Sequence, residues 1–469
     1  MHVQLIRDNS FTQIRGCPPA VYQQLCAHLS VPLPKPRKFE KRKRDSRFGN
    51  VFRFHDPILD EYTYWGSLVK DGQVPAGLLP HVEAILTYYR TPFVTVDIRK
   101  APEQQLPLWS VVVNRPRPYQ NDVYHQIGRN PVGVIDAPPR SGKTLMMARA
   151  IDQHNLRSLI IAPSVAIVKQ TYDVLVSFFG TDFVARVDGS VKPAERDISK
   201  QFVVATINSA IVLPKEFFDE RDVLCIDEFH HGAAESYHIL NRLAENIYYR
   251  WSFTGTHFRT SDDQLAMEAL SSNVLYKVPV PYLVQGGWLS PARMIMSVPE
   301  TPWISASAWK EVYDKGIVHC DARNEDVSTI AQVYGLHNCL PTIVLVRRRV
   351  HADLLGQMIP DSEVVKGGEN ALTNETIDAF RRGEIPIIIG TTVIGEGVDL
   401  PNAAALVYAS GGGAGVQQIQ SYYRPLTGGK SIAYIHDFKD KHHLTLSRHS
   451  DARAEFAEAC VATPMVRLW

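Results

Sequence analysis

The sequence predicts an α/β protein: two tandem parallel-sheet lobes preceded by a small α+β domain. Three observations predict it. Runs at 132–136, 158–162, 202–206, 222–226 and 250–254 alternate with helix-compatible stretches, and each is nearly continuous in apolar residues, as strands buried on both faces are. A second series, at 342–346, 362–365, 385–390, 404–409 and 431–436, repeats the alternation. Only the first series carries a loop suited to phosphate, Ala137-Pro138-Pro139-Arg140-Ser141-Gly142-Lys143-Thr144. The expected divisions are residues 1–112 for the N-terminal domain, 113–285 for lobe 1 and 286–469 for lobe 2.

At 469 residues the chain is too long for one core, and its 45% apolar content suits a folded protein. A net charge of +1 excludes a globally basic surface, so any contact with nucleic acid must be local. The six cysteines form no C-x-x-C pair, which argues against a zinc ribbon and a disulfide framework. Neither a signal-peptide core nor a membrane-length apolar stretch is present, so a cytoplasmic location and no membrane partner are expected.

The first 112 residues contain a basic run, Lys35 to Arg44, an aromatic-rich stretch from Phe52 to Trp65, a helix candidate at 77–86 and a strand candidate at 107–113. The basic run either neutralises DNA phosphates or is a solvated loop. Gly411-Gly412-Gly413 is either a hinge or a loop near nucleic acid. His442 and His443 are expected on a polar surface.

The apolar run at 132–136 leads into the loop at 137–144, and a helix-compatible run follows at 145–150. This strand–loop–helix context lets backbone N–H groups form an anion nest at a helix N-terminus. Lys143 then reaches the β- and γ-phosphates of ATP, and the Thr144 hydroxyl is offered to Mg²⁺. The run at 222–226 ends in Asp227 and Glu228, followed by His230. Asp227 is the expected Mg²⁺ carboxylate, and Glu228 the group that orients and deprotonates the attacking water. The usual first glycine of such a loop is Ala137 here.

From about residue 115 to 438 the chain resembles the superfamily 2 helicases and translocases of the DExH type. Arg117-Pro118-Tyr119-Gln120 looks like the Q-motif, which implies Arg117 and Gln120 near the base of ATP. Ile161-Ala162-Pro163-Ser164 resembles motif Ia, and Thr206 ends a strand as the phosphate-touching threonine does, so Pro163 and Thr206 are implied nucleic-acid contacts. Asp227-Glu228-Phe229-His230 matches motif II, with His230 coupling hydrolysis to motif III at Ser252 to Arg259. Residues 344–351 resemble motif IV. Gly390 to Pro401 resembles motif V, which implies Thr391 at nucleic acid and Gly397 and Asp399 at nucleotide. Gln417 and Arg424 align with motif VI. Residues 282–289 and Arg323-Asn324 resemble the lobe junction of the XPB-type and phage UvsW-type DNA helicases. The resemblance implies two RecA-like lobes, ATP and Mg²⁺ as cofactors, and an ATP-driven DNA helicase of replication, recombination or repair. It also implies single-stranded, forked or branched DNA as partner, in the host cytoplasm if phage-encoded; the oligomeric state stays open, with a monomer favoured.

Motif VI departs from the family. Where Gly-Arg is usual, the chain has Gln420-Ser421, so one of two expected γ-phosphate arginines is missing. Either Arg424 suffices, or Arg381 or Arg382 substitutes, or turnover is slow; an arginine at 421 is expected to leave folding unaffected. An RNA helicase, an ATP-gated nucleic-acid clamp and a restriction-system motor subunit are the other activities these residues fit.

Overall fold

The computed structural model describes residues 2–33, 51–56, 61–103, 105–108, 116–231, 234–255, 261–365, 371–391 and 400–468. The basic run at 35–44, most of the 107–113 strand candidate, His257 and Arg259 of motif III, and Gly397 and Asp399 of motif V lie outside them. The chain divides into two units, residues 1–137 with 142–277, and residues 138–141 with 278–469.

The first unit holds a seven-stranded parallel sheet. Its strands run, in spatial order, Val184–Val187, Phe202–Thr206, Ser158–Ala162, Val223–Ile226, Tyr249–Thr254, Val132–Asp136 and Val274–Lys277. The five predicted strands form its centre, where both faces are covered and the side chains are almost all buried. The two edge strands were not predicted. Val274–Lys277 is exposed at both ends and only half-buried between, so it lacks the continuous apolar signal of a central strand.

The N-terminal domain belongs to the same unit. It has a mixed four-stranded sheet, in the order Gln73–Pro75, Phe11–Arg15, Val3–Arg7 and Phe93–Asp97. An antiparallel three-stranded sheet of Ser30–Leu33, Glu61–Ser67 and Val51–Asp56 accompanies it. The predicted helix is present at Leu79–Tyr88 after a short 3₁₀ turn. Its core (Val3, Leu5, Leu25, Val82 and Leu86 among others) continues into Ala266 and Ala269 of the helix Ser261–Ser271. A buried polar knot adds to the junction. The Arg250 guanidinium donates to Asn241 Oδ1 at 2.6 Å, to Ile247 O at 2.9 Å, to Ser10 Oγ at 2.9 Å and to Ala244 O. Ser10 Oγ in turn donates to Asn241 O at 2.6 Å. With no carboxylate among these partners, the cation is held by oxygen dipoles, several at the C-terminal end of the helix Glu235–Leu243.

The second unit repeats the architecture. Its parallel sheet runs Ser362–Val365, Ile387–Gly390, Thr342–Leu345, Ala405–Tyr408, Ala433–Phe438, Ala292–Ser297 and Met465–Leu468. All five predicted strands are again present. Both lobes therefore have the RecA-like form, an all-parallel seven-stranded sheet flanked by helices, and no described helix is long and apolar enough to cross a membrane.

Candidate functional site

Three neighbouring strands of the first sheet, Val223–Ile226, Tyr249–Thr254 and Val132–Asp136, end together. The carboxyl edge of a parallel sheet is where loops converge on a ligand. Beyond Asp136 the Ala137 N–H donates to Thr254 O at 2.8 Å, which ties the start of the loop to the next strand. Within the loop the Ser141 N–H donates to Pro138 O at 3.2 Å. Gly142, at φ +84°, then turns the chain into the helix Lys143–His154. A Cβ there would meet Gln120 Nε2 at 2.9 Å, besides being strained at that φ. Glycine is thus required by both backbone and neighbour.

Lys143 lies almost wholly buried. Its Nζ is 3.2 Å from Glu228 Oε1 and donates to Ala137 O at 3.4 Å. The other Glu228 oxygen is 3.2 Å from His230 Nδ1, and the buried Asp227 accepts the Glu228 N–H at 2.9 Å. Glu228 itself sits at φ +47°, a left-handed conformation that costs a non-glycine residue roughly 1–2 kcal/mol. Burial and the adjacent Glu228 push the Asp227 carboxyl well above the usual range. Burial would raise Glu228 too, but Lys143 and His230 outweigh it and hold this carboxyl ionised. Two adjacent carboxylates are therefore driven apart in proton affinity, as in sites that separate an acid–base role from an electrostatic one.

Gln120, buried in the first turn of the helix Pro118–Arg129, accepts the Arg117 N–H on Oε1 at 3.1 Å, and its amide nitrogen faces Gly142. Arg117 Nη1 donates to the Tyr119 hydroxyl at 2.9 Å. Thr144, half-buried, follows Lys143 in the first helical turn. Pro163 and Thr206 end the strands Ser158–Ala162 and Phe202–Thr206 on the other half of the same edge. Both are half-buried, and Thr206 Oγ1 donates to Ser209 Oγ at 3.0 Å.

In the second lobe, Thr391 follows the strand Ile387–Gly390 at the carboxyl edge. Gln417 is exposed on the helix Val416–Tyr422, and the half-buried Arg424 begins the next 3₁₀ turn. The expectation for position 421 needs correction. Ser421 is 4% exposed, and its hydroxyl donates to Gln417 O at 2.7 Å. We expect Ser421→Arg to lower the melting temperature of this lobe, at a cost of about 1–3 kcal/mol, because it overfills a packed site. A thermal melt indistinguishable from wild type would contradict this. The substitutes for the missing arginine are also poorly placed. Arg381 closes the helix Ala371–Arg381 and Arg382 follows it, ahead of the strand Ile387–Gly390, so they lie at the amino edge of the sheet, away from Thr391. Each is also paired locally, Arg381 with Asp378 at 2.8 Å and Arg382 with Glu384 at 2.6 Å.

The sequence reading missed a buried ionic cluster behind motif VI. Arg453, fully buried on the helix Leu444–Val461, donates to Asp437 through Nε at 2.9 Å and Nη2 at 3.0 Å, to Phe438 O at 2.9 Å and to Gly412 O. Tyr422 donates to Asp437 at 2.6 Å, which links the motif VI helix to the cluster. Arg323 donates to Asp440 at 2.7 Å and to Ala409 O at 3.1 Å. An aspartate closing an apolar strand, with an arginine amid small residues in the last helix, was the available signal. His442 is likewise buried rather than on the surface, with Nε2 2.8 Å from Gly316 O. Among the described residues no cluster of His, Cys, Asp and Glu is able to hold a metal through protein groups alone.

Residues 114–259 match the family described as type III restriction enzyme, res subunit, and residues 329–421 match the helicase conserved C-terminal domain. The DNA 3′-5′ helicase XPB of Kineococcus radiotolerans is 24% identical over 304 residues, 63% of this chain and 54% of that protein. The putative helicase 22 of Sulfolobus islandicus filamentous virus is 21% identical over 407 residues, 79% of this chain and 71% of that protein. The chain thus spans about half the length of the XPB-type relative. A solved structure of Saccharomyces cerevisiae Dbp5 bound to RNA and ADP BeF3 shares the fold, with a TM-score of 0.56 and 15% identity over 76% of this chain and 90% of that one. With both domains present in order on two RecA-like sheets, the chain belongs to the superfamily 2 helicases of the DExH type.

Proposed function

We propose that this protein is an ATP-dependent DNA helicase or translocase that remodels duplex or branched DNA in replication, recombination or repair. It works as a monomer in the cytoplasm, that of the host if the gene is viral. Residues 1–112 form an accessory DNA-binding domain, 113–285 the lobe that binds ATP and 286–469 the lobe that answers it. The observation that carries this reading is the Lys143–Glu228–His230 chain at the carboxyl edge of lobe 1, beside the strand ends that bear Pro163 and Thr206. The XPB-type relatives support DNA as the substrate.

The residues fit a nucleotide and a divalent cation. Among the described residues Lys143 is held by a carbonyl and a carboxylate, which phosphate oxygens can replace, and Arg140 and Gly142 both adopt positive φ in the loop. Thr144 and Asp227 are the residues to hold Mg²⁺, which neutralises phosphate charge when bound. Gln120 and Arg117 meet the base, and residues 137–144 wrap the phosphates, with Gly397 and Asp399 serving from motif V. Glu228, already ionised, accepts the proton of the attacking water, and His230 fixes its orientation. Gln417 and Arg424 supply the second lobe's groups, Arg424 as the single motif VI arginine. Pro163, Thr206 and Thr391 hold phosphates of the strand, contacts that carry little sequence information and so suit a motor.

Strand displacement on a forked DNA duplex tests the reading. The wild type should separate it only with ATP. Glu228→Gln should bind ATP with near-normal affinity yet displace nothing, since only the base is lost. If nucleotide affinity collapsed in Glu228→Gln, the assigned role of Glu228 would be wrong.

A further inference from the structure

We infer that one end of the N-terminal domain carries a stacking ledge for an unpaired base of forked DNA, made by Tyr88 and Tyr89, with Arg90 on the adjoining phosphate. The inference rests on the DNA-helicase reading and gives its accessory domain a site.

The helix Leu79–Tyr88 ends beside the four-stranded sheet, where the Val3 N–H donates to Pro92 O at 2.9 Å. Tyr88 is 79% exposed, so most of a large ring stands in water. Tyr89 meets it edge-on, with 5.1 Å between centroids and 85° between planes. Tyr89 is in turn held by the helix Pro19–His28. Its hydroxyl donates to Gln24 Oε1 at 3.1 Å, and its ring lies 6.5 Å from that of His28. One exposed ring is ordinary on a protein surface. A ring braced by two others has little freedom left to lose when a flat ligand stacks on it.

Arg90 supplies a second observation. The helix closes as a Schellman turn, in which the Arg90 N–H donates to Thr87 O at 3.0 Å and the Thr91 N–H to Leu86 O at 2.9 Å. Such a turn needs a left-handed residue, usually glycine, and here Arg90 takes it at φ +49°. Arginine is strained there. Its exposed side chain offsets none of that strain, since it joins no ion pair among the described residues. Strain kept at an exposed cation points to a ligand. The charge balance favours an anion. The segments that meet here, residues 2–4, 13–28 and 86–93, contain Arg15, Arg90, His2 and His28 and no aspartate or glutamate. Arg15 ends its strand on this side, across Gln4 from Val94, and bonds only to the neutral Gln13. Open rings beside unneutralised arginines suit a strand that offers both a π-face and a phosphate. A duplex interior hides its base faces, so the base must be unpaired.

The test is the affinity of the full chain for a forked DNA duplex and for the same fork with abasic arms, which keep the phosphates and lack the bases. Tyr88→Ala should weaken binding of the normal fork about tenfold and leave the abasic fork unchanged. Tyr88→Phe should keep wild-type affinity for both, because the ring and not the hydroxyl stacks. Arg90→Gly should melt at or above the wild-type temperature, since glycine suits the left-handed turn. It should nonetheless bind both forks more weakly and lower the slope of log affinity against log salt by about 1. A gain in stability with a loss in binding separates a ligand contact from a structural role. Unchanged fork affinity in both Tyr88→Ala and Arg90→Gly, or equal losses on the two forks in Tyr88→Ala, would overturn the ledge; an ATPase still stimulated by DNA would then leave the helicase reading standing. A wild type that bound no DNA, with an ATPase indifferent to it, would overturn both.

Discussion

Lys143→Ala should cut ATP turnover by about 10²–10³-fold or more, as loss of a preorganised charge at a reacting group does. Two losses combine. The phosphates lose their buried point charge, and Glu228 loses its nearest cation, 3.2 Å away. Lys143 is the leading cause holding Glu228 ionised against its burial, so without it this carboxyl takes up a proton more readily and less of it stands ionised to accept the proton of water. The lysine is buried in the loop, so the variant should also lose some stability, although its fold survives. Steady-state hydrolysis checks the first effect and a thermal melt the second. Near-normal turnover would remove the phosphate-loop assignment.

Arg453→Met should produce the largest loss of stability, about 3–5 kcal/mol, because it leaves the buried Asp437 without its cation. Asp437 receives two of the Arg453 hydrogen bonds, and Asp440 lies 3.7 Å away. Although burial alone would lower the affinity of Arg453 for its proton, Asp437 outweighs it and keeps the guanidinium charged. The second lobe should melt roughly 6–20 °C lower. Adding Asp437→Leu should restore part of the loss, since removing both charges is less damaging than stranding one. Tyr422 donates to Asp437, so ATP turnover at temperatures where the variant remains folded should fall as well. A variant that melted at the wild-type temperature would show that the cluster does not hold the lobe together.

The sheet centres were legible because strands covered on both faces are written as unbroken apolar runs, such as Leu159-Ile160-Ile161-Ala162. The strands at one end of the second sheet were not: Ala292–Ser297, one in from the edge, alternates buried Met294 and Met296 with more exposed neighbours, and the edge strand Met465–Leu468 is exposed beyond Met465. The N-terminal sheets escaped for a related reason: Phe93–Asp97 is almost wholly exposed, so its Val94 and Val96 mark no core. Lys143, Asp227 and Glu228 were legible as types at fixed spacing, but the split in their proton affinities was not, because it depends on burial and on which oxygen faces which cation. Position 421 shows the same limit. Its alignment with a family arginine says nothing of the packing that closes around a serine.

ATP hydrolysis by the wild type, measured without nucleic acid and with single-stranded DNA, forked duplex, four-way junction or RNA, tests the central claim most directly. A strand that bridges two lobes favours the hydrolysis-competent state, so DNA should raise turnover. Glu228→Gln should stay inactive throughout. Stimulation by RNA and not by DNA, or a rate indifferent to every nucleic acid, would contradict the account.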